Sequence, residues 1–186
     1  EASLHAAQDF LGKINQAYET EKWSDLKNLS KRVLQKFESS PFTEDAQYYL
    51  AVADYHLENY ENSYAHLGLY LKKQYSPKFF EEALNYKFLL AEKFRQGSKK
   101  HIFGFNFMPK WVSGKEDAIA IYDEIVSLLP NCDLAAKSLY GKALILKSYE
   151  DYRESIEILQ QLIRRFPKNS LAPEAFLQIS QIYFLQ

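Results

Sequence analysis

The residues with chemistry to offer are few and scattered. Histidine, the residue best suited to proton transfer or zinc ligation near neutral pH, occurs four times, at His5, His56, His66 and His101. His56 and His66 stand ten residues apart on separate predicted helices, with no Cys or further His beside them to complete a ligand set, so the spacing assembles no metal centre. The single cysteine, Cys132, follows Pro130-Asn131 in a predicted turn and is followed by Asp133, whereas a reactive thiol needs an electropositive setting; it reads as an incidental turn residue. Glycines fall singly, at Gly97, Gly104 and Gly114 among others, so neither a phosphate loop nor a dinucleotide fingerprint is present. The carboxylate pairs Glu81-Glu82, Glu116-Asp117 and Glu150-Asp151 lie where helices are predicted to begin, and the helix dipole accounts for them there. The expectation is a chain with no catalytic residues, no cofactor and no metal.

Bulk composition points the same way. The 186 residues suit one domain with a sizeable core, and a net charge of −1 supplies no long-range field for nucleic acid or an anionic membrane. Tyr and Phe contribute 27 residues against six Gly and six Pro, a balance that favours packed regular elements over disorder. One cysteine allows no intrachain disulfide, and no apolar run approaches the roughly 18 residues of a membrane span. The chain begins at Glu1 rather than Met, which reads as a trimmed piece whose targeting segment is out of sight.

A helical pattern repeats along the chain. Ala118, Tyr122 and Pro130 recur as Ser155, Leu159 and Pro167, fit Ser63, Leu67 and Tyr75, and fit more loosely Leu29, Val33 and Pro41, where a register three residues earlier is also open. Pro41 to Tyr75, Tyr75 to Pro130 and Pro130 to Pro167 are 34, 55 and 37 residues apart. Against a 34-residue repeat the middle step carries about 21 extra residues, placed between Gln96 and Glu116. Ahead of each copy runs another amphipathic segment with a small residue for close helix crossing, at Ala51, Ala91, Gly141 and Ser180. Turns fall at Ser39-Ser40-Pro41, Ser76-Pro77, Pro130-Asn131 and Pro167-Lys168-Asn169, where proline ends helices. Helices are predicted near 3–20, 23–38, 43–57, 60–74, 78–95, 115–129, 133–148, 151–166 and 171–185.

Tyr60, Ser63, Leu67 and Tyr70, and Ala118-Ile119 with Tyr122, Ile125 and Pro130, resemble the second helix of tetratricopeptide repeats. The resemblance implies an all-α, right-handed superhelical array of antiparallel hairpins, about four repeats plus a final helix, spanning 1–186 as one solenoid with an aromatic and basic insertion at about 96–116. Two joints, Ser40-Pro41-Phe42-Thr43-Glu44-Asp45-Ala46-Gln47 and Arg164 to Ala175, look like those of bacterial periplasmic repeat lipoproteins, the outer-membrane assembly lipoprotein BamD and its relatives. That likeness implies a non-catalytic scaffold at the periplasmic face of the outer membrane, anchored by an unseen lipid and binding β-barrel assembly components. The insertion and the missing lipidated Cys depart from that family, and a cytoplasmic repeat chaperone or secretion co-chaperone is the alternative.

In such an array the first helix of each pair lines a concave groove. The face of helix 43–57 away from Ala46, Leu50 and Ala53 carries Tyr48, Val52, Tyr55 and His56, and the same register continues to Asn85, Phe88, Glu92 and Arg95 and then to Ser138, Lys142 and Ile145. A peptide-binding groove centred on Tyr48, Val52, Tyr55 and Phe88 is expected, although a 3.6-residue period fits packing between helices equally well. The insertion adds Lys99, Lys100 and Lys110 among Phe103, Phe105, Phe107 and Trp111, a segment expected to fold back over the helices with one exposed edge for a partner; nucleic acid is the less favoured ligand. The last helix carries Phe176, Ile179 and Tyr183 without a following cap, so further chain or another molecule is expected to cover it.

Overall fold

The structure, a computed structural model, describes residues 2–37, 40–73, 76–97, 99–101 and 110–186. Among these, nine helices form a tetratricopeptide-type array: α1 (Ala2–Glu19), α2 (Trp23–Lys36), α3 (Thr43–His56), α4 (Tyr60–Lys73), α5 (Phe80–Arg95), α6 (Lys115–Leu128), α7 (Asp133–Ser148), α8 (Tyr152–Arg165) and α9 (Leu171–Leu185). Each lies within two residues of its predicted bounds. Two compact units divide the chain, Glu1–Lys87 and Phe88–Gln186. Among the described residues no helix is long and apolar enough to cross a membrane.

Three of the four hairpins close on the same turn. Glu21, Glu58 and Glu150 adopt left-handed φ of 55°, 61° and 64°. Each is followed by an amide that reaches back to the carbonyl five residues earlier, in the helix it leaves: Lys22 N–H to Ala17 O at 2.9 Å, Asn59 to Asp54 at 2.8 Å and Asp151 to Leu146 at 3.0 Å. This is the Schellman closure, which satisfies the last helical carbonyls and reverses the chain. An aromatic residue follows two positions on in all three, at Trp23, Tyr60 and Tyr152. In the third hairpin the chain leaves α5 through Gly97 at φ 103° and runs into β1 (Lys99–His101) and β2 (Lys110–Ser113), which pair antiparallel. The insertion thus occupies the place of a hairpin turn.

Second helices begin at Trp23, Tyr60, Lys115 and Tyr152, spaced 37, 55 and 37 residues, so the hairpin period is 37 and the excess 18 rather than about 21. The same spacing aligns Leu26 and Ser30 with Ser63 and Leu67, three residues ahead of the Leu29 and Val33 register. Leu26 and Ser30 are fully buried and Leu29 is half-buried, yet Val33 is buried too, which is why periodicity alone fits both registers.

In the first unit α3 packs against α1, α2 and α4, and its run from Tyr48 to Asp54 is entirely buried. In the second unit α7 packs against α6, α8 and α9, where Leu139, Ala143, Ile156, Leu159, Leu162, Ala172, Ala175 and Ile182 form a continuous core. A serine fastens each of these central helices to its successor: Ser63 Oγ donates to Ala51 O and Ser155 Oγ to Ala143 O, both at 2.8 Å and both buried. Of the small residues expected at close crossings, Ala51, Ala91 and Gly141 are buried, whereas Ser180 is exposed and donates to Phe176 O of its own helix at 3.1 Å.

Gly141 faces the Tyr122 ring. A Cβ there would come within 2.6 Å of Tyr122 Cζ and 2.7 Å of its hydroxyl. Tyr122 cannot withdraw easily, because it is fully buried and its hydroxyl donates to Glu92 Oε1. Gly141→Ala is therefore expected to destabilise the protein by about 1–3 kcal/mol, read as a lower urea midpoint with an unchanged slope.

Candidate protein-binding site

The left-handed turns decide where the aromatic residues of the first unit meet. The turn at Glu21 starts α2 with Trp23, which lies flat on the His56 ring at the end of α3, centroids 3.8 Å apart and planes 5° from parallel. The turn at Glu58 brings Tyr60 to within 5.7 Å of Tyr55. From α5, Tyr86 reaches both, its ring 5.3 Å from Tyr55 and its hydroxyl 3.1 Å from His56 Nε2. Tyr18 of α1 closes the set, edge-on to Trp23 at 6.2 Å and near enough to Tyr86 to raise its pKa. Six rings from five helices thus form one patch, with His56 exposed and the others half-buried.

Burial sets the protonation of this patch. It lowers the His56 pKa, with Glu21 pulling the other way, so the imidazole stacked on Trp23 is neutral at neutral pH. Burial also raises the Tyr86 pKa, and Tyr55 and Tyr18 add to the shift, so the hydroxyl keeps its proton. The six rings are uncharged, and they offer hydroxyl and imidazole groups for hydrogen bonding. They suit an extended chain or a partner's apolar side chains.

The expected groove residues separate into three groups. Tyr55 and His56 belong to the patch. Tyr48 and Val52 do not line a surface: they are 3% and 0% exposed. Tyr48 stacks on Phe79 at 4.4 Å and meets Tyr49 at 5.4 Å and Tyr70 at 5.7 Å. The reason is that residues preceding and opening α5 lie over this face of α3, so the packing alternative holds there. The burial pushes the Tyr48 pKa upward and that of Tyr49 up to about 12.

Phe88 and Glu92 belong to the second unit. Phe88 sits 6.0 Å from the Tyr122 ring, and Glu92 accepts hydrogen bonds from the Tyr122 hydroxyl and from Arg95, Nε at 3.2 Å and Nη2 at 2.5 Å. Glu92 is thereby committed to holding α5 and α6 together. Of the remaining register, Asn85 is exposed and bonds to Glu81 O at 3.0 Å, Ser138 and Ile145 are buried, and Lys142 pairs with Asp123 at 2.9 Å. Lys99 and Lys100 lie on β1, and Lys110 and Trp111 on β2, but their side chains fall outside the described residues; Phe103, Phe105 and Phe107 lie outside them altogether.

Sequence reasoning missed Tyr18, Trp23, Tyr60 and Tyr86. A signal was present for two of them, since Glu21-Lys22-Trp23 and Glu58-Asn59-Tyr60 share the glutamate-x-aromatic pattern that also marks the turn at Glu150. Tyr86 carries no such mark.

No family model and no curated protein matches the sequence. Solved structures do. Residues 41 to the end of MamA from Desulfovibrio magneticus RS-1 align over 97% of this chain and 96% of that one, with a TM-score of 0.59 at 15% identity. A MamA RS-1 ArsTM double mutant aligns over the same shares with a TM-score of 0.59 at 16% identity. Apo PlcR from Bacillus thuringiensis aligns over 98% of this chain and 67% of its own, with a TM-score of 0.50 at 18% identity. The likeness shows the fold. These neighbours are tetratricopeptide-like helical proteins, in keeping with the hairpin array.

The two aromatic layers should separate in mutagenesis. Tyr48→Ala removes a buried ring and is expected to cost about 3–5 kcal/mol. His56→Ala, at an exposed position, should stay within about 1 kcal/mol of wild type. Urea unfolding of the two variants checks this.

Proposed function

We propose that this chain is a non-catalytic scaffold whose first unit presents the Trp23–His56–Tyr86 surface to an extended peptide or a partner domain. The observation that carries this reading is the convergence of six uncharged rings from five helices on an accessible patch. Its rings are held from below by the buried Tyr48 and Tyr49 and from the side by their own contacts, so little side-chain freedom is lost on binding. The fold supports the reading, because hairpin arrays form extended binding surfaces by stacking.

The finer reading places the scaffold in the bacterial cell envelope, in outer-membrane protein assembly. Its support is the likeness of the two joints to periplasmic repeat lipoproteins. Those joints are also well-formed helix starts: Thr43 Oγ1 donates to Ser40 O at 2.7 Å, and the Leu171 amide donates to Asn169 Oδ1 at 2.9 Å.

Affinity capture from separate envelope and cytoplasmic extracts, using wild type and a folded His56→Ala/Tyr86→Ala variant, tests both levels. The proposal expects a defined protein captured by wild type and lost in the variant, and the finer reading expects it among outer-membrane assembly components. Equal capture by both proteins would sink the aromatic surface; a purely cytoplasmic partner would move the role to a chaperone.

A further inference from the structure

Between α1 and α2, in the first unit, lies a cleft of about 350 Å³ with a chemistry unlike that of the aromatic patch. The two helices contribute matching faces. Gln16, Ala17 and Thr20 follow Lys13 at helical spacing on α1, and Asn28, Leu29 and Arg32 follow Asp25 in the same steps on α2. Lys22, in the turn, completes the rim. Three cations therefore face a single carboxylate, in a chain whose net charge is −1.

The floor is apolar where Ala17 is buried and Leu29 half-buried. Lys13, Lys22 and Arg32 are exposed, and among the described residues no ion pair joins any of them to Asp25 or another carboxylate. The Lys13 ammonium instead lies 5.7 Å from the centre of the Phe10 ring. The side-chain amides of Gln16 and Asn28 add further donors.

We infer that this cleft binds an acidic peptide segment. An Arg guanidinium matches a carboxylate in a two-pronged contact, and the two lysines supply point charges for neighbouring carboxylates. The methylene stems of glutamate side chains fit against Ala17 and Leu29. A nucleic acid is disfavoured because it needs a continuous cationic track along its phosphates, whereas the cations here line one cleft between two helices that also carries Asp25. The surface is distinct from the Trp23–His56–Tyr86 patch, so the two can fail independently.

Fluorescence anisotropy of a labelled oligoglutamate, titrated with the full chain, tests the inference against an oligoglutamine control. Oligoglutamate should bind more tightly than oligoglutamine, more weakly as salt rises, and about tenfold or more weakly to Lys22→Glu/Arg32→Glu. Lys168→Glu, a charge reversal at an exposed residue of the second unit, should leave binding unchanged. Equal binding of the two peptides, or equal loss in Lys168→Glu, overturns the inference. Tighter binding of an oligothymidylate that Lys22→Glu/Arg32→Glu abolishes would overturn it in favour of nucleic acid.

Discussion

The close approach of paired helices is the constraint from which most of this structure follows. Where α3 meets α4 and α7 meets α8, a serine donates to an alanine carbonyl of the helix before it, and only a small residue at the donor's own position permits that distance. Ala118 takes the equivalent place in α6 and is likewise fully buried. Such proximity requires a short, sharply reversing turn, which the left-handed glutamates provide at the usual cost of a non-glycine residue in that conformation. Within each unit the central helix, α3 or α7, then buries half or more of its residues.

Buried polar contacts fix how helices meet within each unit. Asp54 is 1% exposed, with Lys27 Nζ at 2.6 Å and His66 Nε2 at 3.6 Å, so one carboxylate draws together α2, α3 and α4. Burial lowers the His66 pKa despite Asp54, and Gln47 Nε2 lies 2.9 Å from its other ring nitrogen. In the second unit Tyr122, Glu92 and Arg95 form a comparable knot, and burial followed by the Glu92 contact raises the Tyr122 pKa. Removing one member of such a set leaves the others buried and unpaired, so these contacts favour one packing over its alternatives.

Helix positions were legible because proline turns, helical periodicity and the recurring small-residue positions agree with one another. The insertion was legible from the odd spacing, but its place in a hairpin turn depended on recognising left-handed glutamates, which sequence presents as ordinary exposed residues. Facing was the harder question. Tyr48 and Tyr55 stand seven residues apart on one helical face, yet one is buried beneath α5 and its preceding turn while the other reaches the rim. Which end of a helix its neighbour covers is a tertiary fact, absent from the period. Trp23 and Tyr86 escaped notice for the same reason, since contacts between residues 23, 56 and 86 exist only once the hairpins stack.

The central claim, that the Trp23–His56–Tyr86 patch is where a protein partner sits, is tested most directly by site-specific photo-crosslinking in cells. A photoreactive residue in place of His56 should capture one defined protein, while the same group in place of Leu128, an exposed apolar residue of the second unit, should not. Capture at Leu128 with none at His56 would contradict the account.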